Sequence, residues 1–582
     1  MMKSANSSSS LRNAWFQENT RRLLVIPIVS FLAYFLAVIL PVILNYSRFE
    51  DIASYMSYTL QDGGATAFIG AAMAVVTSAA VFSYLHDTAS AVVVHSMPFG
   101  RRKLYSSSVI SGFIMMLIPI VATCLLLMLL SGAHVSNDVV TSKDFSIEML
   151  TISHALRWML DSIIVVTFVY TMSNLAGIIA GTRLIHVLLA LFINGTPYAL
   201  LLLIRGYAAI FFYGFPEDIF DNKFYYVSAA SYSVAKDHYL GRADILPMLI
   251  YILVSIAIGL LTLWLYKHVK LERVRNACVF PIAADIICVL LTFMGMSLCA
   301  MLLTMIIGNG VANKGIFIAL SVGLGIMFYI ICRMIADSTT NVFNSSSYKK
   351  FGIYVVIVAV FFAFGVFDIA GYGHKTPTAS KVSYVYLTNE YSTSYGVKLS
   401  DQNSINAVIA LQKTIIDEHR DNAVTSNNNN TTVTMTYHDK NGILQKRTYA
   451  LYLDGGKAEQ QFKSLYDSAA FKKANYFIAS SKIKEVSVTT MDSYDSDNNY
   501  SSTSHVIASK HYAELLQAAN KDIQSRTYKQ AKGIKDYSDY IATLDVHYYG
   551  SDDVGEFSIT KNDTNTIKYL KSTGYWNEIK SK

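Results

Sequence analysis

The stretch 23-LLVIPIVSFLAYFLAVILPVIL-44 contains no acidic or basic side chain. Wound as an α-helix at about 1.5 Å per residue, it is long enough to cross the roughly 30 Å hydrocarbon core of a bilayer. A secretory signal would be shorter in its apolar part and would run into a small-residue cleavage site, so the stretch reads as a retained span. Further apolar runs lie near 65–85, 104–131, 155–180, 184–212, 245–266, 283–307, 315–335 and 351–370. Together they predict a polytopic α-helical membrane protein of about nine transmembrane helices. Two local readings stay open. The connection 181-GTR-183 fits either a hairpin between helices or one broken helix, and the Tyr- and Phe-rich stretch 207–244 has room for a partial re-entrant segment.

Composition agrees with that reading and divides the chain. Of the 582 residues 53% are hydrophobic and 15% charged, and the mean hydropathy is +0.35. A soluble domain carries about a quarter charged residues. Residues 371–582, little more than a third of the length, hold 25 of the cations and 23 of the acids, over half of all the charge. This asymmetry predicts a membrane region followed by an aqueous domain. The five cysteines (Cys124, Cys278, Cys288, Cys299 and Cys332) all precede residue 371, which excludes a disulfide framework from that domain.

Lysine and arginine set the expected orientation. With the N-terminus cytoplasmic, the inner loops and ends hold 15 cations, among them Arg21, Arg22, Arg101, Arg102, Lys103, Lys270, Arg273 and Arg275, against 8 outside before residue 371. The outer loops are instead acidic (Glu217, Asp218, Asp221, Asp237, Asp244). An odd number of spans then places 371–582 outside a cell membrane.

The densest basic cluster, 95-HSMPFGRRK-103, falls in an inner loop between the second and third spans. Charge alone is accounted for by topology and anionic lipid head groups. It does not account for Pro98 and Gly100, which break a helix and let the chain turn. At the amino end, Leu11, Trp15 and Phe16 share one side of a possible helix, with Arg12, Arg21 and Arg22 around them. An interfacial helix and an ordinary positive flank both fit. The Ser-rich 4–10 reads as disordered. Within the spans Arg157 and Asp161, four apart, are expected to pair along one helical face. Arg205, Asp285 and Arg333 lie near enough to predicted ends to snorkel. His186, Asn174 and Asn194 suit interhelical hydrogen bonds or the lining of a path.

Beyond the turn formers 371-GYGHKTPTAS-380, the polar region reads as α+β. Strand 382–387 is followed by an amphipathic helix, 404–419, directing Ile405, Val408, Ile409, Leu411, Ile415 and Ile416 to a core. A hairpin, 432–453, turns at Asn441-Gly442, and a helix occupies 457–470. Strand 484–490, helix 511–527, strands 541–549 and 556–560 and helix 564–572 repeat the order. A duplicated unit and two halves of one ordinary domain fit equally. The runs 426-SNNNN-430 and 491-MDSYDSDNNYSSTS-504 read as mobile loops.

The chain contains no G-x-x-x-x-G-K-[ST] phosphate cradle, no H-E-x-x-H, no Cys/His set with zinc spacing and no G-x-S-x-G elbow. Neither catalysis nor a bound metal is expected of it. The balanced charge of the polar domain gives no support for nucleic-acid binding.

The stretch 92-VVVHSMPFGRRKLYSSSVISGFIMMLIPI-120 resembles bacterial ABC transporter permeases of the type-2 exporter class, especially those of Firmicutes. There His-Ser-(Leu/Met)-Pro precedes a basic pair and a span that often ends in a proline, here Pro119. The join 267-KHVKLERVRNACVFP-281 is similar to their basic stretch after the sixth span, matching at Glu272, Arg273 and Ala277 and departing at 276-NAC-278. The tail looks like the uncharacterised extracytoplasmic domain of some of these permeases, on the strength of Asp368, Gly371, Pro377, Tyr437, Asp439, Gly442, Arg447 and Tyr449.

The resemblance implies a six-helix transmembrane unit (23–266), preceded by a cytoplasmic tail and interfacial helix (1–22). A join and three further helices (267–370) would deliver the extracytoplasmic α+β domain (371–582). It implies a dimer with a second permease chain and a separately encoded cytoplasmic ABC ATPase carrying ATP and magnesium. His95, Ser96, Met97, Pro98, Phe99, Gly100, Arg101, Arg102 and Lys103 would then form the coupling loop that docks on the ATPase. Leu11, Arg12, Trp15, Phe16, Arg21 and Arg22 would form the connecting helix. The alternative is a membrane-anchored sensor or scaffold whose outer domain binds a peptide, an envelope precursor or a partner protein.

Overall fold

A computed structural model describes residues 15–44, 64–98, 100–131, 152–235, 245–308, 313–389, 396–418, 430–476, 483–491, 502–533, 540–548 and 554–576. Leu11, Arg12 and Phe99, with all of 426–430 but Asn430, lie outside these residues. The chain forms two compact units, one of residues 1–205, 219–307 and 315–360, the other of 206–218, 308–314 and 361–582.

Among the described residues nine helices are long and apolar enough to cross a membrane. In chain order the helical elements of this region are α1 (Val25–Leu44), α2 (Gly64–Val81), the short α3 (Thr88–His95), α4 (Arg101–Ser131), α5 (Ile152–Ile179) and α6 (Arg183–Phe211). The short α7 (Ala229–Ala235) follows, then α8 (Ile245–Lys267), α9 (Pro281–Ile307), α10 (Lys314–Asp337) and α11 (Ser345–Val366). In α1 the turn Phe35–Ile39 widens into a π-helix just before Pro41, whose ring removes the N–H of the next turn.

Hydroxyls inside these helices bond the carbonyl four residues back, as Thr77 does to Met73, Thr167 to Ile163 and Thr292 to Cys288. Such a bond lets an apolar helix carry a hydroxyl with its donor satisfied inside the helix. The first unit's core packs Tyr34, Met73, Met116, Trp158, Val166 and Tyr170 from α1, α2, α4 and α5. Close approach requires Gly112, where a Cβ would sit 2.4 Å from the Tyr170 hydroxyl.

The 181–183 connection separates two helices. Ala180 bridges Cys278, Gly181 N–H donates to Ala277 O, and Arg275 N–H donates to Gly181 O. Within 207–244 the described residues form short helical turns at Glu217–Phe220 and Asp221–Phe224, then α7, whose Ala229 and Tyr232 are buried in the first unit's core. Arg157 is exposed while Asp161, one turn on, is 9% exposed. Arg333 does not snorkel. It is 6% exposed and held by Asp285 at 2.6 Å and Asp337 at 2.8 Å, while Lys350 reaches the same Asp285 at 2.7 Å. These bonds tie α9, α10 and α11 together.

The second unit contains two four-stranded antiparallel sheets with the same strand order. The first, β2-β1-β3-β4, comprises β1 (Tyr384–Asn389), β2 (Val397–Leu399), β3 (Asn430–His438) and β4 (Ile443–Tyr452). The second, β6-β5-β7-β8, comprises β5 (Ile483–Met491), β6 (Ser502–Val506), β7 (Tyr540–Tyr548) and β8 (Val554–Thr560). Helices α12 (Gln402–Glu418), α13 (Lys457–Tyr466) and α14 (Ala469–Ala474) accompany the first sheet, α15 (Tyr512–Ser525) and α17 (Thr564–Thr573) the second, and α16 (Tyr528–Gly533) returns to bury Tyr528 and Ala531 in the first sheet's core.

All six apolar positions expected to line the inner face of α12 are buried, because their spacing follows the helical period. The end of 491–504, expected as a loop, is strand β6, paired along β5 from Ser487↔Val506 to Met491↔Ser502. Its Ser/Thr composition conceals a strand that needs only backbone partners. The β3–β4 turn spans four residues rather than resting on Asn441-Gly442 alone. Asp439 Oδ1 accepts from the N–H of both Asn441 and Gly442, and only Gly442 takes a positive φ (148°).

Residues 206–218 belong to the second unit, and Tyr213 packs against its core. Gly214 O accepts from Thr448 N–H at the edge of β4, and the Tyr213 ring lies 5.4 Å from that of Tyr449. Asp218 pairs with Lys446, and Arg447 stacks 3.7 Å from the centroid of Tyr372.

Candidate functional site

The site is built around α3. Asp87 caps it: its carboxylate accepts from the Ser90 N–H at 3.0 Å and the Ser90 hydroxyl at 2.8 Å, bonds that hold its pKa below the usual carboxylate value. The helix buries Ala91 and Val94 and exposes Val92 (59%) and Val93 (60%).

Its inner side is fixed by a polar and aromatic box. His95 Nδ1 bonds Ala91 O at 2.8 Å, and its Nε2 lies 3.3 Å from the Tyr266 hydroxyl. Tyr266 in turn bonds Tyr84 at 2.9 Å. Rings of Trp15, Phe82 and Tyr105 complete the box, with Trp15 edge-on to Tyr84 at 5.9 Å and Tyr105 5.5 Å from Tyr266. Trp15 Nε1–H donates to Ser108 Oγ at 3.1 Å, so this aromatic is locked into the box; Phe16 is half-buried, and Arg21 and Arg22 are exposed. Burial lowers the His95 pKa, and the Arg101 cation lowers it further against the pull of the Ala91 carbonyl.

The cluster expected to act as one splits in three. Ser96, Pro98 and Gly100 are exposed and Met97 is half-buried. Gly100 O accepts from the N–H of Lys103 and Leu104, so Arg101, Arg102 and Lys103 form the first turn of α4 rather than a loop. Arg101 turns inward, its Nη1 donating to Lys267 O at 2.8 Å and Val269 O at 3.0 Å at the carboxyl end of α8. Arg102 and Lys103 remain exposed. Cations at a helix amino end oppose its dipole, and no acid balances them in that turn. An incoming carboxylate there would gain from two cations and from the helix end together.

A second polar group joins α3's approach to α5 and α6. The Nε2–H of His86 donates to Gly177 O at 3.1 Å, and that of His186 donates to Ser173 O at 3.0 Å and lies 3.2 Å from Ser78 Oγ. The rings stand 5.1 Å apart. Burial lowers the His86 pKa to about 4. Asn194 bonds Ser173 Oγ at 3.3 Å. His186 and Asn194 thus make interhelical bonds; Asn174 is buried.

Reading the sequence as a basic loop missed α3 itself. The available signal was Asp87 three residues before Ser90, a capping pattern ahead of an apolar run. Among the described residues no cluster of three or more His, Cys, Asp or Glu suited to a metal occurs. Comparison with known protein families, with curated proteins and with solved structures finds no match.

Proposed function

We propose that this chain is the permease subunit of an ATP-driven ABC exporter. It works with a second permease chain and docks a separate cytoplasmic ATPase on α3 and the turn after it. The single observation carrying this reading is the two-sidedness of α3. Outward it offers Val92 and Val93, followed by Met97 and the cations Arg102 and Lys103. Inward it is bonded through His95 and Tyr266 to the end of α8 and through Tyr84 to the end of α2. A push on the outer side is therefore delivered to membrane helices by short, directional contacts rather than by a slack loop. An apolar pair beside two cations suits a groove with an acidic rim. ATP and magnesium belong to the partner, and the ATPase's closure would bias the helices between two states. The resemblance in 92–120 and 267–281 supports the same reading.

Co-purification with the ATPase tests it. Val92→Asp with Val93→Asp, and separately Arg102→Glu with Lys103→Glu, are expected to abolish or sharply weaken capture while the permease still inserts. Unaltered capture by both variants would refute docking at α3. A second reading, a sensor whose outer domain speaks to the helices, draws on the integration of 206–218 into the second unit. A catalytically dead ATPase separates the two: it silences an exporter and spares a sensor.

A further inference from the structure

The second half of the polar region contains a cavity of about 650 Å³ lined by Ile541, Lys561, Thr564, Ile567, Lys568, Lys571 and Trp576. Among the described residues that line it, none carries a carboxylate. Thr564, Ile567, Lys568 and Lys571 follow the i, i+3, i+4, i+7 stripe of α17, while its opposite stripe, Thr566 and Leu570, is buried. Lys568 and Lys571 are one turn apart, a spacing at which like charges repel. The helix ends at Gly574, whose φ of +87° reverses the chain and brings the 8%-exposed Trp576 back as a wall. Lys571 Nζ stands 5.3 Å from the Trp576 ring centroid. The first amides of α17 are already taken, since Asp522 accepts from Asn565 N–H and Thr566 N–H at 3.2 and 2.7 Å. Charge for an anion therefore comes from lysine side chains.

We infer that this cavity is a binding site for a phosphate ester with an apolar or sugar face. Lysine ammonium groups are point charges, and the pair Lys568 and Lys571, one turn apart, matches the double charge of a phosphate dianion. The Trp576 and Ile567 walls offer a flat apolar surface for the remainder of the molecule, as in ligand sites that combine apolar lining with a few polar anchors. The volume falls in the range of small-molecule sites, about 300–1,000 Å³. The same chemistry is found in a soluble sugar phosphate and in a phospholipid head group, and the test separates them. Binding here requires no ATPase, so its failure and the failure of the permease reading are independent.

The full chain in phosphatidylcholine nanodiscs is titrated with glucose 1-phosphate, with glucose as the neutral control, following tryptophan emission. A parallel sample uses nanodiscs containing phosphatidylglycerol. A saturable change with glucose 1-phosphate, absent with glucose, lost in Trp576→Phe and weakened roughly tenfold or more in Lys568→Gln/Lys571→Gln, is the expected result for a free phosphate ester. The same variant pattern seen only on adding phosphatidylglycerol assigns the site to a lipid head group. Lys568→Arg/Lys571→Arg should restore binding in either case. No response to either probe, or a response that the glutamine variants leave unchanged, overturns the inference.

Discussion

At the scale of single residues, adjacent cations in the sequence have different physics. Arg101, Arg102 and Lys103 are indistinguishable as letters, yet only Arg101 fills the orphan carbonyls at the end of α8. Arg101→Ala should lower the stability of the whole chain by about 1–3 kcal/mol, because it strips charged donors from carbonyls that have lost their helical partners. Arg102→Ala should fall within about 0.5 kcal/mol of the parent. Thermal unfolding in one detergent compares them, and equal midpoints would contradict the capping role. Glu459 makes a second residue-scale case. Burial raises its pKa, but bonds from Lys532 Nζ, Gly455 N–H and Tyr528 OH outweigh that and leave it lowered. A lowered folded pKa contributes stability above the unfolded value near 4.3, and that stability is lost as pH falls through the folded value. Unfolding midpoints followed from pH 6 to pH 3 should therefore drop more steeply in the parent than in Glu459→Gln. Gly455 is four residues away, but Tyr528 and Lys532 lie 69 and 73 residues on, which is why no pattern of letters announced the cluster.

At the scale of elements, period and length decided what was legible. Long apolar helices and α12 were readable because burial imposes a 3.6-residue rhythm on many side chains at once. The eight-residue α3 and the short strands β2 and β6 were not, since each rests on a cap or on backbone pairing that few side chains report. The stretch 207–244 was read as room for a partial re-entrant segment after the 184–212 run, whereas Tyr213 and Gly214 within it pack against the first sheet of the polar unit. Gly214 explains how. Its φ is +74°, and a Cβ there would lie 2.3 Å from the Tyr449 ring. Gly214→Ala must strain the backbone and push that ring, at a cost of about 1–3 kcal/mol. Hydrogen exchange at 212–216 in the full chain should rise at least several-fold, with Tyr213→Ala producing the same change by removing the stacked ring. Unchanged protection in both variants would mean that the connection is held elsewhere.

At the scale of the whole molecule, the apolar helices, nine among the described residues, and a charge-rich remainder were legible from the sequence, whereas the side of the membrane is set by electrostatics acting during insertion. The proposed inner N-terminus rests on fifteen cations against eight, and an odd number of crossings, such as the nine candidates among the described residues, would then carry 371–582 across. Every other reading of the molecule depends on that parity: docking at α3 requires residues 84–105 inside, and the polar unit must lie opposite. A cysteine placed at the exposed Ser572, whose hydroxyl makes only a local bond to Tyr569 O, reports the side directly. An impermeant maleimide should label Ser572→Cys fully in intact cells, with no further gain on lysis. A cysteine at the exposed Arg102 should show the reverse, since seven candidate spans, an odd number, separate it from the tail. The five native cysteines lie in or beside apolar helices and supply the background to be subtracted with the parent chain. Labelling of Ser572→Cys only after lysis would put the polar unit inside, make the number of crossings even or the orientation reversed, and remove the physical basis for an ATPase meeting α3 on the opposite face.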